Sequence, residues 1–445
     1  MKKILNSLNG DKGIWSFVAL LGLFSFMPVF SASSNLAYMN HGTGNTLGYL
    51  IKHLIHMSFG FVIMYNVQKV PYHYWRRSHY FLLPISWALL ILASVIGVEQ
   101  GSASRWIKLP FVGLTFQPSA IAFIILMIYV AQFLAKPQDK GEKKFWPLFL
   151  KLWIPVGITL MLILPNNFST AALIFAMVLM LTYVGNYPIR NLLLVVGIAV
   201  AFFAAFYMTA KVIEKTNPEN MPRVFKRVKT WENRVANFSK KETDASDEDY
   251  QIEQAKTAIA TGGIYGLGPG KSVQKNFLPQ SSSDFIFAII IEEYGLVGGF
   301  LVIGLYLLLF IRFIVASQKA NSMFGKLLIV GLGFPIIFQA MINMGVAVQL
   351  LPVTGQTLPL ISSGGSSVWM ICISIGIIIS VTKKDEEIAR ELAEKEQREI
   401  ALQKLIDKQM AEDVQEANPD FRDSENNDYS IKESKANPMN AVRNK

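Results

Sequence analysis

The sequence predicts an all-α, polytopic membrane protein of about ten transmembrane helices, and three observations predict it. Of its 445 residues, 52% are hydrophobic and only 17% are charged, too few charges to clothe a soluble surface of this size. Apolar runs close to the ~20 residues that cross a bilayer recur along the chain. The short connections between them are alternately rich and poor in lysine and arginine, the asymmetry that orients membrane helices.

Taken in order, the predicted spans are 14–34, 47–67, 80–98, 116–135, 146–164, 169–185, 191–210, 284–316, 325–350 and 366–381. No small-residue cleavage site follows the first, which therefore reads as a retained anchor. With the N-terminus inside, the inner connections hold Lys2, Lys3, Lys12, Lys69, Arg76, Arg77, Lys136, Lys140, Lys143, Lys144, Arg190, Arg312, Lys319, Lys326, Lys383 and Lys384. The short outer connections hold only Arg105 and Lys108 among basic residues. Both termini are thus expected in the cytoplasm, with a large outer loop over 211–283.

Three interruptions stand out. Pro165-Asn166-Asn167 predicts a tight turn between spans five and six. The stretch 352–367 is rich in Pro, Gly, Ser and Thr yet too apolar for an exposed loop. Irregular backbone at that depth persists only when buried in protein or lining a wet cavity. Asp284 opens span eight at a membrane edge. Domain organisation follows: a membrane domain over 1–382 and a tail over 383–445. The tail's first part is Glu-, Lys-, Ala- and Leu-rich, and its pairs Glu391–Lys395 and Glu394–Arg398 have helix-supporting spacing. From Asn418 onward its composition is that of a disordered segment.

Several chemistries are absent from the pattern. There is no GxxxxGK[ST], HExxH or GxSxG, so nucleotide-driven transport, zinc proteolysis and serine hydrolysis are unsupported. The lone Cys372 lies in an apolar run, and the five histidines show no ligand spacing. No cofactor is expected, although a divalent cation stays open. The net charge of +10 sits in loops beside spans rather than in a basic stripe with aromatics, which suits topology and anionic lipid better than nucleic acid. Intramembrane charges are few, with Lys52, Glu292 and Glu293 the notable ones.

The richest region is 250–300, including Gln251. Gly262 to Gly270 precede Lys271 and Lys275, an arrangement that lets N–H groups and ammoniums approach phosphate or that simply makes a flexible re-entrant loop. Asp284 reads either as a helix cap or as a general base at the water–lipid boundary. Arg223, Lys226, Arg227, Lys229 and Arg234 with Trp231 read either as an amphipathic helix on anionic headgroups or as a cluster that neutralises a diphosphate. Arg105-Trp106-Ile107-Lys108 has the form of an interfacial aromatic-plus-basic anchor.

Together these stretches resemble the SEDS family (shape, elongation, division and sporulation) of polytopic peptidoglycan glycosyltransferases, from the first span to about residue 382. The motifs are Ser104-Arg105-Trp106-Ile107 followed by Phe116-Gln117-Pro118-Ser119; Gln274-Lys275 and Phe277-Leu278-Pro279 through Asp284-Phe285-Ile286-Phe287-Ala288 to Glu292-Glu293-Tyr294-Gly295; Asn343; and Leu358-Pro359-Leu360-Ile361-Ser362 with Gly364-Gly365-Ser366-Ser367. The resemblance implies polymerisation of lipid II, the undecaprenyl-diphosphate-linked disaccharide. Asp284 falls on the family's catalytic aspartate, expected to deprotonate the acceptor 4-hydroxyl. Arg105 and Arg227 match basic family positions and are expected to contact diphosphate. Lys108, Gln251, Lys271, Lys275, Ser362 and Ser366 complete the expected substrate-binding set.

The resemblance also implies a class B penicillin-binding transpeptidase as partner, other membrane proteins of the division machinery, and the bacterial inner membrane at the septum. Ser272-Val273-Gln274-Lys275 and Leu360 are similar to the division branch rather than the elongation branch. The sequence departs from the family where carboxylates or ammoniums are usual and Ala120, Phe123, Asn166, Thr354 and Gln280 stand instead. Two other readings of the same chain are a lipid II flippase and a non-catalytic scaffold. A flippase needs a hydrophilic path, of which spans four, five and seven show almost none.

Overall fold

The computed structural model describes residues 8–41, 46–100, 103–108, 115–136, 145–216, 222, 225, 228, 231–232, 247–278, 281–383, 393 and 396–410. Contacts divide the chain into two units, Met1–Lys383 and Lys384–Lys445. In the second, residues 396–410 form an exposed helix.

The first unit is built from helices. In chain order they are α1 (Lys12–His41), α2 (Thr46–Val67), α3 (Tyr72–Ile96), α4 (Pro118–Ala135), α5 (Phe145–Ile163), α6 (Phe168–Val184), α7 (Ile189–Thr216), α8 (Asp247–Gly262), α9 (Ile286–Lys319), α10 (Met323–Ala347) and α11 (Ser366–Val381). Each of the ten predicted spans falls on one of these, with α8 the addition. Among the described residues, seven helices are long and apolar enough to cross a membrane, while those at 149–163, 168–184 and 366–381 are shorter apolar helices. The protein is a multi-pass, helical membrane protein.

Burial ranks the helices. In α4 and α10, 67% and 72% of the spanning residues are buried, against 11% in α7, and nearly all of the shorter α11 is buried too, so α4, α10 and α11 form the centre and α7 the edge. Lipid is as apolar as leucine, so helices associate by close packing of small residues. Gly331 stands against Leu181 and Met127, Gly333 against Phe313, and Gly60 against Cys372.

The structure corrects several boundaries. Helix α3 starts at Tyr72, not 80, because Pro71 sets its start and nothing between Tyr72 and Tyr80 breaks a helix. Helix α7 runs six residues into the predicted loop, where Lys211 pairs with Glu214 at 3.1 Å and Glu232 at 2.8 Å. Helix α10 ends at Ala347 because Gln349 takes a left-handed φ of 56°. The all-α prediction also gains a small sheet: β1 (Val98–Gln100), β2 (Ala103–Lys108) and β3 (Thr115–Phe116), antiparallel in that order. Val98 pairs with Trp106 and Lys108 with Thr115. The Arg-Trp-Ile-Lys stretch is therefore the central strand of a ribbon, which satisfies its backbone groups.

Candidate functional site

Helix α9 is two helices joined at a break. Gly295 has φ 69° and ψ −171°, a conformation essentially reserved for glycine. Breaking a membrane helix frees backbone groups that lipid cannot satisfy. Here the loop after α8 satisfies them. Leu267 and Gly268 donate to the carbonyls of Glu292 and Glu293, both at 2.9 Å. In return, Leu296 donates to Gly263 at 2.9 Å and Val297 to Ile264 at 3.3 Å. The two backbones approach so closely that a Cβ on Gly262, Gly266 or Gly295 would collide with main-chain atoms of the other.

Side chains extend this interlock. Glu292 is 0% exposed, and its carboxylate accepts from the Ser272 hydroxyl, from Val273 N–H at 2.9 Å and from Gln274 N–H at 3.2 Å. Glu293 accepts from the Ser31 hydroxyl on α1 and from Ser272 N–H at 3.3 Å. Lys275 donates to Gly270 O at 2.8 Å and to Ser31 Oγ at 3.2 Å. The two buried carboxylates thus fix the loop that leads towards Asp284, and charge-assisted bonds of this kind are the strong ones.

Asp284 lies in the turn 281–285 and is half-buried. Phe285, not Asp284, takes the cap position of α9, so the carboxylate stands before the helix rather than opening it. Its segment is laced to the irregular stretch between α10 and α11. Asn343 on α10 uses both amide hydrogens, donating to Asp284 O at 2.7 Å and Gln356 O at 2.8 Å. Ser362 Oγ donates to Ser283 O at 2.6 Å and accepts from Leu358 N–H at 2.8 Å. Ser363 N–H donates to Ser282 O at 2.9 Å, and the Tyr306 hydroxyl donates to Pro359 O. Irregular backbone at this depth is therefore paired within the protein. A methyl on Gly355 (φ 68°) would lie 3.6 Å from Asp284 Oδ2, so bare backbone flanks the carboxylate. Leu360, fully buried, holds a left-handed φ of 64°, the kind of strain that clusters at functional sites.

The remaining expected site residues divide by place. Lys275, Ser362 and Asp284 belong to the laced region, and Ser366 starts α11 three residues after Ser363. Lys271 is exposed on the same loop as Lys275, and Gln251 is half-buried on α8, which packs against α9. Lys108 is exposed on β2, and Arg105 lies on the same strand. Arg223, Lys226, Arg227, Lys229 and Arg234 lie outside the described residues. Between them, Val228 is buried, Phe225 packs on Phe206 at 5.0 Å and Trp231 on Phe168 at 4.3 Å. Those apolar positions recur every three residues, and the two aromatic ones dock on α7 and the start of α6. Among the described residues, no His/Cys/Asp/Glu group is set to hold a metal.

A broken membrane helix beside a carboxylate on laced, irregular backbone defines a polytopic membrane protein with its candidate chemistry at one end of the helical unit. The chain belongs to the FtsW/RodA/SpoVE family: that family's model, described as a cell cycle protein, matches residues 11–387, as the motif resemblance implied. It is 31% identical over 382 residues to the probable peptidoglycan glycosyltransferase FtsW of Coxiella burnetii, covering 84% of this chain and 96% of that one. It is 32% identical over 378 residues to the protein so described in Hydrogenovibrio crunogenus, covering 82% and 90%. Its fold is similar to a chain of a peptidoglycan synthase complex (TM-score 0.63, 24% identity, 84% of this chain and 97% of that one). It is also similar to the rod shape determining protein RodA of Thermus thermophilus (TM-score 0.57, 23% identity, 85% and 98%).

Proposed function

We propose that this protein is a peptidoglycan glycosyltransferase that polymerises lipid II during septal wall synthesis, with Asp284 as general base. The observation that carries the reading is the setting of Asp284: a half-buried carboxylate beside bare backbone at Gly355, its main chain held by Asn343. In the proposed step, Asp284 takes the proton from the 4-hydroxyl of the acceptor sugar. The hydroxyl oxygen bonds to the anomeric carbon of the growing chain as the bond from that carbon to diphosphate breaks. Undecaprenyl diphosphate departs with the electron pair. An α-linked donor becomes a β-linked glycan, so one in-line inversion suffices without a covalent intermediate.

The departing charge needs cations, and Arg105, Lys108, Arg227, Lys271 and Lys275 are the candidates. Gln251 and Ser366 are proposed to contact substrate, and Ser362, from the substrate-binding set, to act by shaping the 281–284 turn. The division role is favoured by relatives described as FtsW. A class B penicillin-binding transpeptidase partner accords with a similar chain from a complex that coordinates polymerization and crosslinking. The basic-residue asymmetry favours both termini in the cytoplasm, and the family setting favours the inner membrane.

The test is purified full-length protein, with its cognate transpeptidase, given lipid II. Wild type is expected to make glycan polymer, and Asp284→Ala and Asp284→Asn to make almost none. Equal polymer from all three sinks the general base. Translocation of lipid II in proteoliposomes without polymer would favour the flippase reading.

A further inference from the structure

At the membrane edge far from Asp284, α3, α4 and α5 meet around cations that no carboxylate neutralises. The distance follows from α10. Ser322 caps its start, and Tyr72, the first residue of α3, shares a hydrogen bond with the Ser322 hydroxyl at 3.0 Å. Asn343, which holds Asp284, lies near the other end of α10, about 30 Å away along the helix axis. The start of α3 is therefore a bilayer's thickness from the laced region.

Arg76 stands one turn into α3. Its Nε donates to Gln132 Oε1 of α4 at 3.0 Å, and Gln132 is buried. An amide mounted in this way positions the guanidinium without cancelling its charge. Cations elsewhere in the unit are paired, Arg312 with Asp11 and Lys211 with Glu232, both at 2.8 Å. Here α3, α4 and α5 contain no acidic residue at all. Lys136, which follows Gln132 by one turn and caps α4, is exposed. Tyr129, on the same face of α4, draws in the third helix. Pro155 has no N–H, which frees the Lys151 carbonyl within α5, and the Tyr129 hydroxyl donates to that carbonyl. Lys151 is itself exposed. Beside this corner, Phe81 of α3 and Leu150 and Ile154 of α5 are exposed apolar side chains.

Basic residues at one membrane edge orient the chain, but orientation asks only for charge. It does not ask that one guanidinium be fixed on a buried amide, with its Nη groups lacking a partner among the described residues. A planar fork held in that way suits two oxygens of a phosphate, and basic corners between membrane helices suit anionic headgroups. We propose that this corner binds the headgroup phosphate of a phospholipid of the phosphatidylglycerol class. Arg76 is its main contact, Lys136 and Lys151 flank it, and the acyl chains run along Phe81, Leu150 and Ile154.

The test is equilibrium binding of fluorescent phosphatidylglycerol to the full-length protein in phosphatidylcholine nanodiscs. Saturable binding against that background is expected, and its absence overturns the site. Arg76→Gln is expected to weaken Kd about ten- to a hundredfold. Arg77→Gln removes the same charge one residue away and is expected to weaken it about twofold at most. Equal effects of the two would mean that only the general surface charge acts, and the site falls. Gln132→Glu is the sharper variant, because it keeps the mount but supplies a carboxylate that pairs with Arg76. It is expected to weaken binding as Arg76→Gln does, without lowering Tm; wild-type Kd in a folded Gln132→Glu overturns the proposal. If that variant fails to fold, the comparison of Arg76→Gln with Arg77→Gln decides. Displacement of the lipid by an excess of inorganic phosphate would make this a site for a soluble anion and overturn the phospholipid.

Discussion

Helices α9 and α11 meet their neighbours at two junctions built to different rules. At the junction with the N-terminus, Asp11 caps α1 by accepting from Gly13 N–H at 2.8 Å and Ile14 N–H at 3.1 Å. The same oxygen accepts from Arg312 Nη2 at 2.8 Å, and Asp11 N–H donates to Thr382 Oγ1 at 2.9 Å. One short residue ties the start of α1 to α9 and to the end of α11. At the Asp284 junction the polar groups are more numerous and several are left over. Asn343 Oδ1, Thr354 Oγ1, Ser366 Oγ, Gln274 Oε1 and Glu293 Oε2 are buried without a hydrogen-bond partner among the described residues. An unmet buried polar atom costs about 1–3 kcal/mol, so gathering these atoms in the elements around Asp284 is tolerable where a polar substrate is to be received. The first junction is built to hold, and the second to bind.

The sharpest way to break that contrast is at the two aspartates. Asp284→Asn is expected to lower polymerisation about 100- to 10,000-fold, the span of general acid–base catalysis, with an unchanged Tm. A matching drop in Tm would turn Asp284 into a structural residue and erase the contrast. Next in size is Gly295→Ala. The conformation alone costs about 1–3 kcal/mol for a residue with a Cβ, and the new methyl would collide with the backbone of Ile264 and Gly266. The loop must move, so both Tm and activity are expected to fall. Wild-type melting and activity in Gly295→Ala would show that the helix break is not needed.

Glu292→Gln is expected to have a smaller effect. It keeps the shape but replaces a carboxylate facing two N–H groups and a hydroxyl with an amide that accepts at only one end. Losing charge-assisted bonds of about 1.5–3 kcal/mol predicts kcat/KM lower by about ten- to a hundredfold, with Glu292→Ala worse. A wild-type value in both variants would detach the loop from the chemistry.

These expectations also mark what the sequence could reveal. The ten apolar stretches were legible because spanning a bilayer imposes length and composition on each segment separately. Asp284 was legible as a carboxylate at the end of such a stretch. The helix break was not, since Gly295 reads as an ordinary glycine until the loop some thirty residues earlier is laid against it. The Glu292–Glu293 pair carried the available signal: two carboxylates inside an apolar run demand partners, and the nearby serines and glycines were those partners. Helix α8 also left a trace, with Ile252, Ala255 and Ala258 buried at three-residue spacing, masked by the glycine-rich turn that follows. The three-stranded ribbon left little, because strands this short are defined by their pairing.

The smallest predicted effect lies at the holding junction and separates its two functions. Asp11→Asn keeps a cap of equal quality and loses only the ion pair with Arg312. With side chains 15% and 38% exposed, that pair is worth about 0.2–1 kcal/mol, so Tm is expected to fall slightly and polymerisation not at all. Asp11→Ala removes the cap as well, adding about 1 kcal/mol, and should lower Tm further, again without touching activity. The order wild type, Asp11→Asn, Asp11→Ala in thermal melting, with equal polymer from each, is what a junction built only to hold requires. A loss of polymer in Asp11→Asn would mean that the α1–α9–α11 tie reaches Asp284 through the length of α9, and the two junctions would have to be read as one device.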